Sequence, residues 1–168
     1  MKRFITVMLS ALLLVGGLTS CRLTVPRPEI KQGEFDFSVT YEWAGKTHTV
    51  SGVYVCEYNG NDWAPDGGYY RDWIGYIRGG EMEDVIYIDT TEDGDEIFLV
   101  LSLYPDYFMG DYSVELYGVP APYIQIKDYD EEGLRIIHDP TMVEEICGAK
   151  IVSYEYDEPI ENAFGLFK

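Results

Sequence analysis

Between Glu34 and Trp43 the chain alternates without a break: Phe35, Phe37, Val39, Tyr41 and Trp43 are apolar, and Glu34, Asp36, Ser38, Thr40 and Glu42 are polar. A strand turns that order into one dry face and one wet face, because successive side chains point to opposite sides. On a helix the same residues would be spread around the whole circumference. Ala44-Gly45 then reads as a two-residue turn, since glycine tolerates the positive φ such hairpins need. If so, the register is fixed: Trp43 opposite Lys46, Tyr41 opposite His48, Val39 opposite Val50, Phe37 opposite Gly52 and Phe35 opposite Tyr54. That register covers Gly52 with an aromatic ring and puts Cys56 on the inner face.

Further strands follow by the same logic. Residues 84–91 and 96–104 flank Asp93-Gly94, a hairpin signal. The stretch 97–103 is apolar on both parities and is expected as a central strand covered on both sides. Residues 112–117, 123–129, 134–138 and 149–156 complete the set, with turns at 118–120 and at Glu132-Gly133. One helix is expected. Asp139 suits its N-cap and Pro140 its first turn, Met142, Val143, Ile146 and Cys147 share a face, and Gly148 ends it. The fold class expected is mainly β: an antiparallel β-sandwich or open barrel of seven to nine strands with one short helix near 140–147.

The N-terminus reads differently. Lys2 and Arg3 precede an apolar run from Phe4 to Val15. Twelve helical residues span roughly 18 Å, short of the ~30 Å hydrocarbon core, so the run reads as a signal-peptide segment. Leu18-Thr19-Ser20-Cys21 then resembles the lipobox of bacterial lipoproteins. That resemblance implies cleavage before Cys21 and a diacylglycerol thioether on its sulfur; no cofactor besides this lipid is expected, with calcium as the lesser alternative. The expected organisation is a removed signal over residues 1–20, the lipidated cysteine and a proline-stiffened linker over 21–34, and one β-rich domain over 35–168. The implied location is extracytoplasmic, on the bacterial cell membrane.

Charge narrows the partners. The chain carries 30 acids against 12 Lys and Arg, a net −18. Loss of residues 1–20 removes Lys2 and Arg3 and no acid, so −18 becomes −20. Such a field repels phosphate backbones, which argues against nucleic acid, and it repels anionic headgroups. The remaining partner classes are the membrane through the lipid anchor, and a glycan or protein at the cell surface.

Cysteine, catalytic and metal patterns give little. Cys56 and Cys147 are both expected to point inward. The sequence is compatible with a disulfide closing a loop of about 90 residues, worth roughly 4 to 5 kcal/mol on the loop-entropy view, and equally with two buried thiols. No nucleophile elbow, zinc-protease helix motif, phosphate loop or Cys-x-x-Cys is present, and no catalytic residue is assigned. His48 and His138 read as structural. Asp128, Asp130, Glu132, Gly133 and Asp139 have calcium-loop spacing, but Arg135 stands where such loops need an apolar residue, and strands flank the stretch where helices are required. Asp62 and Asp66 lie in a second oxygen-rich loop. Both read as solvated acidic turns rather than calcium sites.

Trp63, Tyr70 and Tyr76, interleaved with hydrogen-bonding residues, are the candidate glycan-binding set, since flat rings beside polar groups suit sugar faces. Trp73 shares a strand parity with Gly75 and Ile77 and is expected in the core. Glu34 to Tyr41, Tyr70-Arg71-Asp72-Trp73 and the tail Glu158 to Phe164 resemble small uncharacterised lipoproteins of Gram-positive bacteria. That resemblance implies fold and address and no catalytic residue. The function expected is a non-enzymatic, surface-tethered binding or interaction domain; the alternatives are a carbohydrate-binding module or a carboxylate-dependent glycan hydrolase.

Overall fold

The computed structural model describes residues 25–65, 68–79, 84–130 and 133–165. The segment expected as a signal peptide, Cys21, Asp66, Glu132 and the side chain of Asp130 lie outside the described residues.

The elements in chain order are β1 (Arg27–Pro28), β2 (Gln32–Trp43), β3 (Lys46–Trp63), β4 (Tyr69–Ile77), β5 (Val85–Thr90), β6 (Glu96–Val100), α1 (Pro105–Phe108), α2 (Val114–Tyr117), β7 (Tyr123–Asp130), β8 (Gly133–Ile137), α3 (Pro140–Cys147), β9 (Lys150–Tyr156) and β10 (Phe164–Gly165). The chain is mainly β. Two four-stranded antiparallel sheets run in the orders β4-β3-β2-β9 and β5-β6-β7-β8, and β1 pairs with β10. The inner residues of both sheets share one core, in which Phe35, Phe37, Val39, Cys56 and Trp73 meet Ile97, Leu99, Ile124 and Ile126. This is the layering of a β-sandwich.

The β2–β3 hairpin has the register read from the sequence, from Trp43↔Lys46 to Phe35↔Tyr54. Ala44 and Gly45 sit at φ 50° and 72°, the doubly left-handed turn that matches strand twist. A Cβ on Gly52 would lie 3.0 Å from the Phe37 ring, so the ring does cover the glycine. Cys56 is buried on the inner face, and β6 is flanked on both sides in its sheet. Asp139 caps α3, accepting hydrogen bonds from the backbone N–H groups of Thr141 and Met142 at 3.0 and 3.1 Å, and Gly148 ends the helix in the left-handed region.

Four expectations are corrected. Residues 112–117 form no strand: 114–117 is the short helix α2. Its approach is fixed at Asp111, which accepts from Arg71 Nε at 2.6 Å and from Trp73 Nε1 at 2.9 Å, so the segment begins on the core of the other sheet and offers no ladder edge. The strand expected over 96–104 stops at Val100, because Ser102 takes φ 55° and Pro105 then opens the helix α1. On α3 only Val143 is fully buried; Met142 and Ile146 are exposed. The segment from Val25 to Glu34, expected as linker, is tied into the fold. Pro28 is buried, the Glu29 N–H donates to Ala163 O at 2.9 Å, the Tyr58 N–H donates to Lys31 O at 2.8 Å, and β2 begins at Gln32.

Candidate functional site

An open cleft of about 700 Å3 lies along the edge where β2 meets β9. Strand pairing sets its floor: Phe37 lies opposite Tyr156, Ser38 opposite Glu155 and Val39 opposite Tyr154. Beyond β9 the backbones of Asp36 and Asp157 stay joined. The Asp157 N–H donates to Asp36 O at 3.0 Å, and the Asp36 N–H donates to Asp157 Oδ2 at 2.8 Å. Tyr107 of α1 and Val119-Pro120 after α2 form the other wall.

Two contacts hold these walls together. The Tyr156 hydroxyl donates to Leu101 O, which links β9 to the end of β6 and leaves the ring as cleft lining. The Ile160 N–H donates to Phe108 O at 3.0 Å, which ties the tail after Glu158 to α1. Gly110 makes that closure possible: a Cβ there would fall 2.4 Å from Ile160 O, at a φ of +70°.

The chemistry of the lining is one-sided. Tyr107, Tyr154 and Tyr156 supply rings; Tyr154 and Tyr156 are tilted with centroids 5.4 Å apart. The acidic lining residues are Asp36, Glu155, Asp157 and Glu158, of which Asp36 and Glu155 lie by strand parity on the face away from Tyr154 and Tyr156, and no Lys, Arg or His is among the lining residues. Burial raises the Tyr107 hydroxyl above its ordinary range, and Glu158 and then Tyr154 raise it further. Burial, then Tyr154, raises Tyr156 as well. Both hydroxyls therefore stay protonated and neutral, and that of Tyr156 is spent on Leu101 O. Ring faces carry negative potential and attract cations, as carboxylates do.

The residues singled out from the sequence do not converge. Trp63 lies opposite Tyr69 on the row of β3 and β4 that continues through Arg71, Trp73 and Ile77, and the two rings pack edge to face at 4.7 Å. Tyr70 and Tyr76 lie on the opposite face of β4. They stand six positions apart, roughly 20 Å, and the Tyr76 hydroxyl donates to Glu57 Oε1 at 3.0 Å. Trp73 is in the core, as expected. Asp62 Oδ1 accepts from the Trp63 N–H at 2.7 Å, Asp128 pairs with Arg135 across the β7–β8 hairpin, and Asp139 is spent on its helix. Among the described residues no three His, Cys, Asp or Glu side chains are grouped to hold a metal ion. Cys56 and Cys147 are separate free thiols, and Cys147 Sγ donates to Val143 O at 3.2 Å. His48 stacks on Tyr41 at 5.1 Å, and His138 meets Tyr123 edge-on at 6.2 Å.

Sequence reasoning missed Tyr107, Tyr154, Tyr156 and their acids, which come from three separate stretches of chain. The one local signal is Tyr154-Glu155-Tyr156-Asp157-Glu158, tyrosines and acids at the end of a strand. No family model, curated protein or solved structure matches the chain. No helix among the described residues is long and apolar enough to cross a membrane.

Proposed function

We propose that this chain is a lipid-anchored extracytoplasmic binding domain, held at Cys21, that takes a cationic group in the Tyr107–Tyr154–Tyr156 cleft. The observation that carries the reading is the lining itself: three tyrosines and four acidic residues border about 700 Å3 with no base among them, and Glu158 is near enough to the Tyr107 hydroxyl to raise it. A lysine side chain, or the ammonium groups of a polyamine, would have ring faces to lie on and carboxylates to pair with, in a cleft large enough for a short peptide segment. The net charge of −18 adds long-range steering toward such a ligand.

The test is a calorimetric titration of the chain from Cys21 onward with pentalysine and with a neutral chito-oligosaccharide. Pentalysine should bind, and Tyr154→Ala and Glu158→Gln should each weaken it about tenfold or more, while Trp63→Ala leaves it unchanged. Binding of the oligosaccharide alone, lost in Trp63→Ala, would replace this reading with the carbohydrate-binding one. Appearance of cleaved sugar would replace it with the hydrolase. The anchor is tested separately: Cys21→Ala should abolish lipid labelling and release or misprocess the protein.

A further inference from the structure

Val25 enters the fold beside the tip of the β3–β4 hairpin. Asn61 Nδ2 donates to Val25 O at 2.8 Å, and Asn61 is itself held by the Tyr58 hydroxyl at 2.5 Å. One residue on, Arg71 donates to Pro26 O at 3.1 Å while its other nitrogens bind Asp111, and its guanidinium lies 4.0 Å from the Phe164 ring centroid. The entry point is therefore fixed to the hairpin rather than to the body of the sandwich. Two residues beyond Asn61 stands Trp63, 53% exposed, with Tyr69 edge-on against it and 45% exposed.

We infer that Trp63 and Tyr69 form a membrane-facing tip that seats in the lipid interface when the chain is anchored. The inference rests on the anchor proposed at Cys21. Val25 is four positions from Cys21, and whatever the conformation between them that span reaches at most about 14 Å. A lipidated Cys21 thus holds the hairpin tip within reach of the headgroup layer. Trp and Tyr are the side chains that favour this layer, with an apolar ring body and a polar edge. The pair alone would partition weakly, but a tether converts partition into an intramolecular step at high effective concentration. The domain's acidity does not prevent this on zwitterionic lipid. On anionic lipid, Asp62 beside Trp63 opposes it.

The seated orientation also settles where the cleft points. Phe37, in the cleft floor, pairs with Gly52, and Trp63 is eleven residues further along β3. At about 3.3 Å per residue, less one bulge, the cleft is roughly 30 to 35 Å from the tip. A tip in the interface lifts the cleft clear of the headgroups.

The experiment couples the chain from Cys21 onward, which contains every residue of the fold described above, to a maleimide lipid in phosphatidylcholine vesicles. Cys147→Ser removes the competing thiol. Because the tether is made chemically, the result does not depend on whether a cell lipidates Cys21; intact mass of the protein from bacterial membranes tests that point by itself. With acyl-brominated lipid, emission should be quenched and blue-shifted. Trp63→Phe, shown folded by circular dichroism, should lose that quenching, and vesicles rich in phosphatidylglycerol should reduce it. The same fractional quenching by brominated lipid in the tethered parent and Trp63→Phe, or a parent unaffected by brominated lipid, overturns the proposal.

Discussion

Gly75 shows how tightly single positions are held. A Cβ there would fall 1.8 Å from the Tyr54 hydroxyl oxygen, and that hydroxyl donates to Leu103 O at 2.8 Å in the core. Gly75→Ala must push Tyr54 off this acceptor and off its packing on Phe108, at a cost of about 2 to 4 kcal/mol in urea unfolding. Removing the hydroxyl with Tyr54→Phe should recover part of that loss in the double variant; strictly additive costs would show that the clash is not the cause. Asp106 carries a different strain. Burial raises its carboxyl above the usual range, against two lowering backbone hydrogen bonds, and Asp111 raises it further. An acid raised in the folded state keeps its proton after the unfolded chain has lost it. Stability is therefore intact below the ordinary carboxylate value and falls as pH rises from there through the raised value. Asp106→Asn should match the parent in melting temperature near pH 3 and exceed it at pH 7; a constant difference across that range would sink the assignment. The same substitution removes the one influence, besides burial, that pushes the Cys56 thiol up to about 12.

At the scale of elements, the β2–β3 hairpin is the part the residues specify most fully, and it still contains a local conflict. Ala44 stands at φ 50°, where an L side chain costs about 1 kcal/mol or more and Asn is tolerated. Ala44→Asn should stabilise the fold by roughly 0.5 to 1 kcal/mol, read as a shift in urea midpoint with unchanged slope. No gain, or a loss, would mean that the turn has another conformation in solution. The hairpin was legible because period-two alternation and a two-residue turn constrain each other: the first gives the face, the second the register. The α3 cap was legible for the same kind of reason, since Asp139, Pro140 and Gly148 act within a few residues. Residues 112–117 were not. Tyr112, Val114 and Leu116 alternate with Ser113 and Glu115 as a strand would, and what decides their path is Asp111 bound to Arg71 and Trp73, about forty residues away in sequence. The cleft was hidden for that reason too. Its walls come from 36–38, 107, 119–120 and 154–158, and no short-range pattern reports that these stretches meet.

For the molecule as a whole, charge acts on the fold and on the cleft with opposite sign. Thirty acids against 12 Lys and Arg leave the compact state repelling itself. The ion pairs described, such as Arg78–Glu34 and Lys150–Glu144, are mostly exposed and worth little each. Raising salt from about 0.01 M to 0.3 M shortens the screening length from about 30 Å to well under 10 Å. Repulsion between distant carboxylates should fade more than the close pairs do, so the unliganded domain should melt several degrees higher. The cleft should respond in reverse. A cation held by the carboxylates of the cleft, Glu158 among them, loses affinity as they are screened, by tenfold or more for pentalysine over that range. A neutral sugar on aromatic faces would gain from the stiffer fold and lose nothing to screening. Melting temperature and ligand affinity measured across one salt series thus separate the two readings. Opposite slopes support a cation in the cleft, and affinity that stays level while the melting temperature rises removes it.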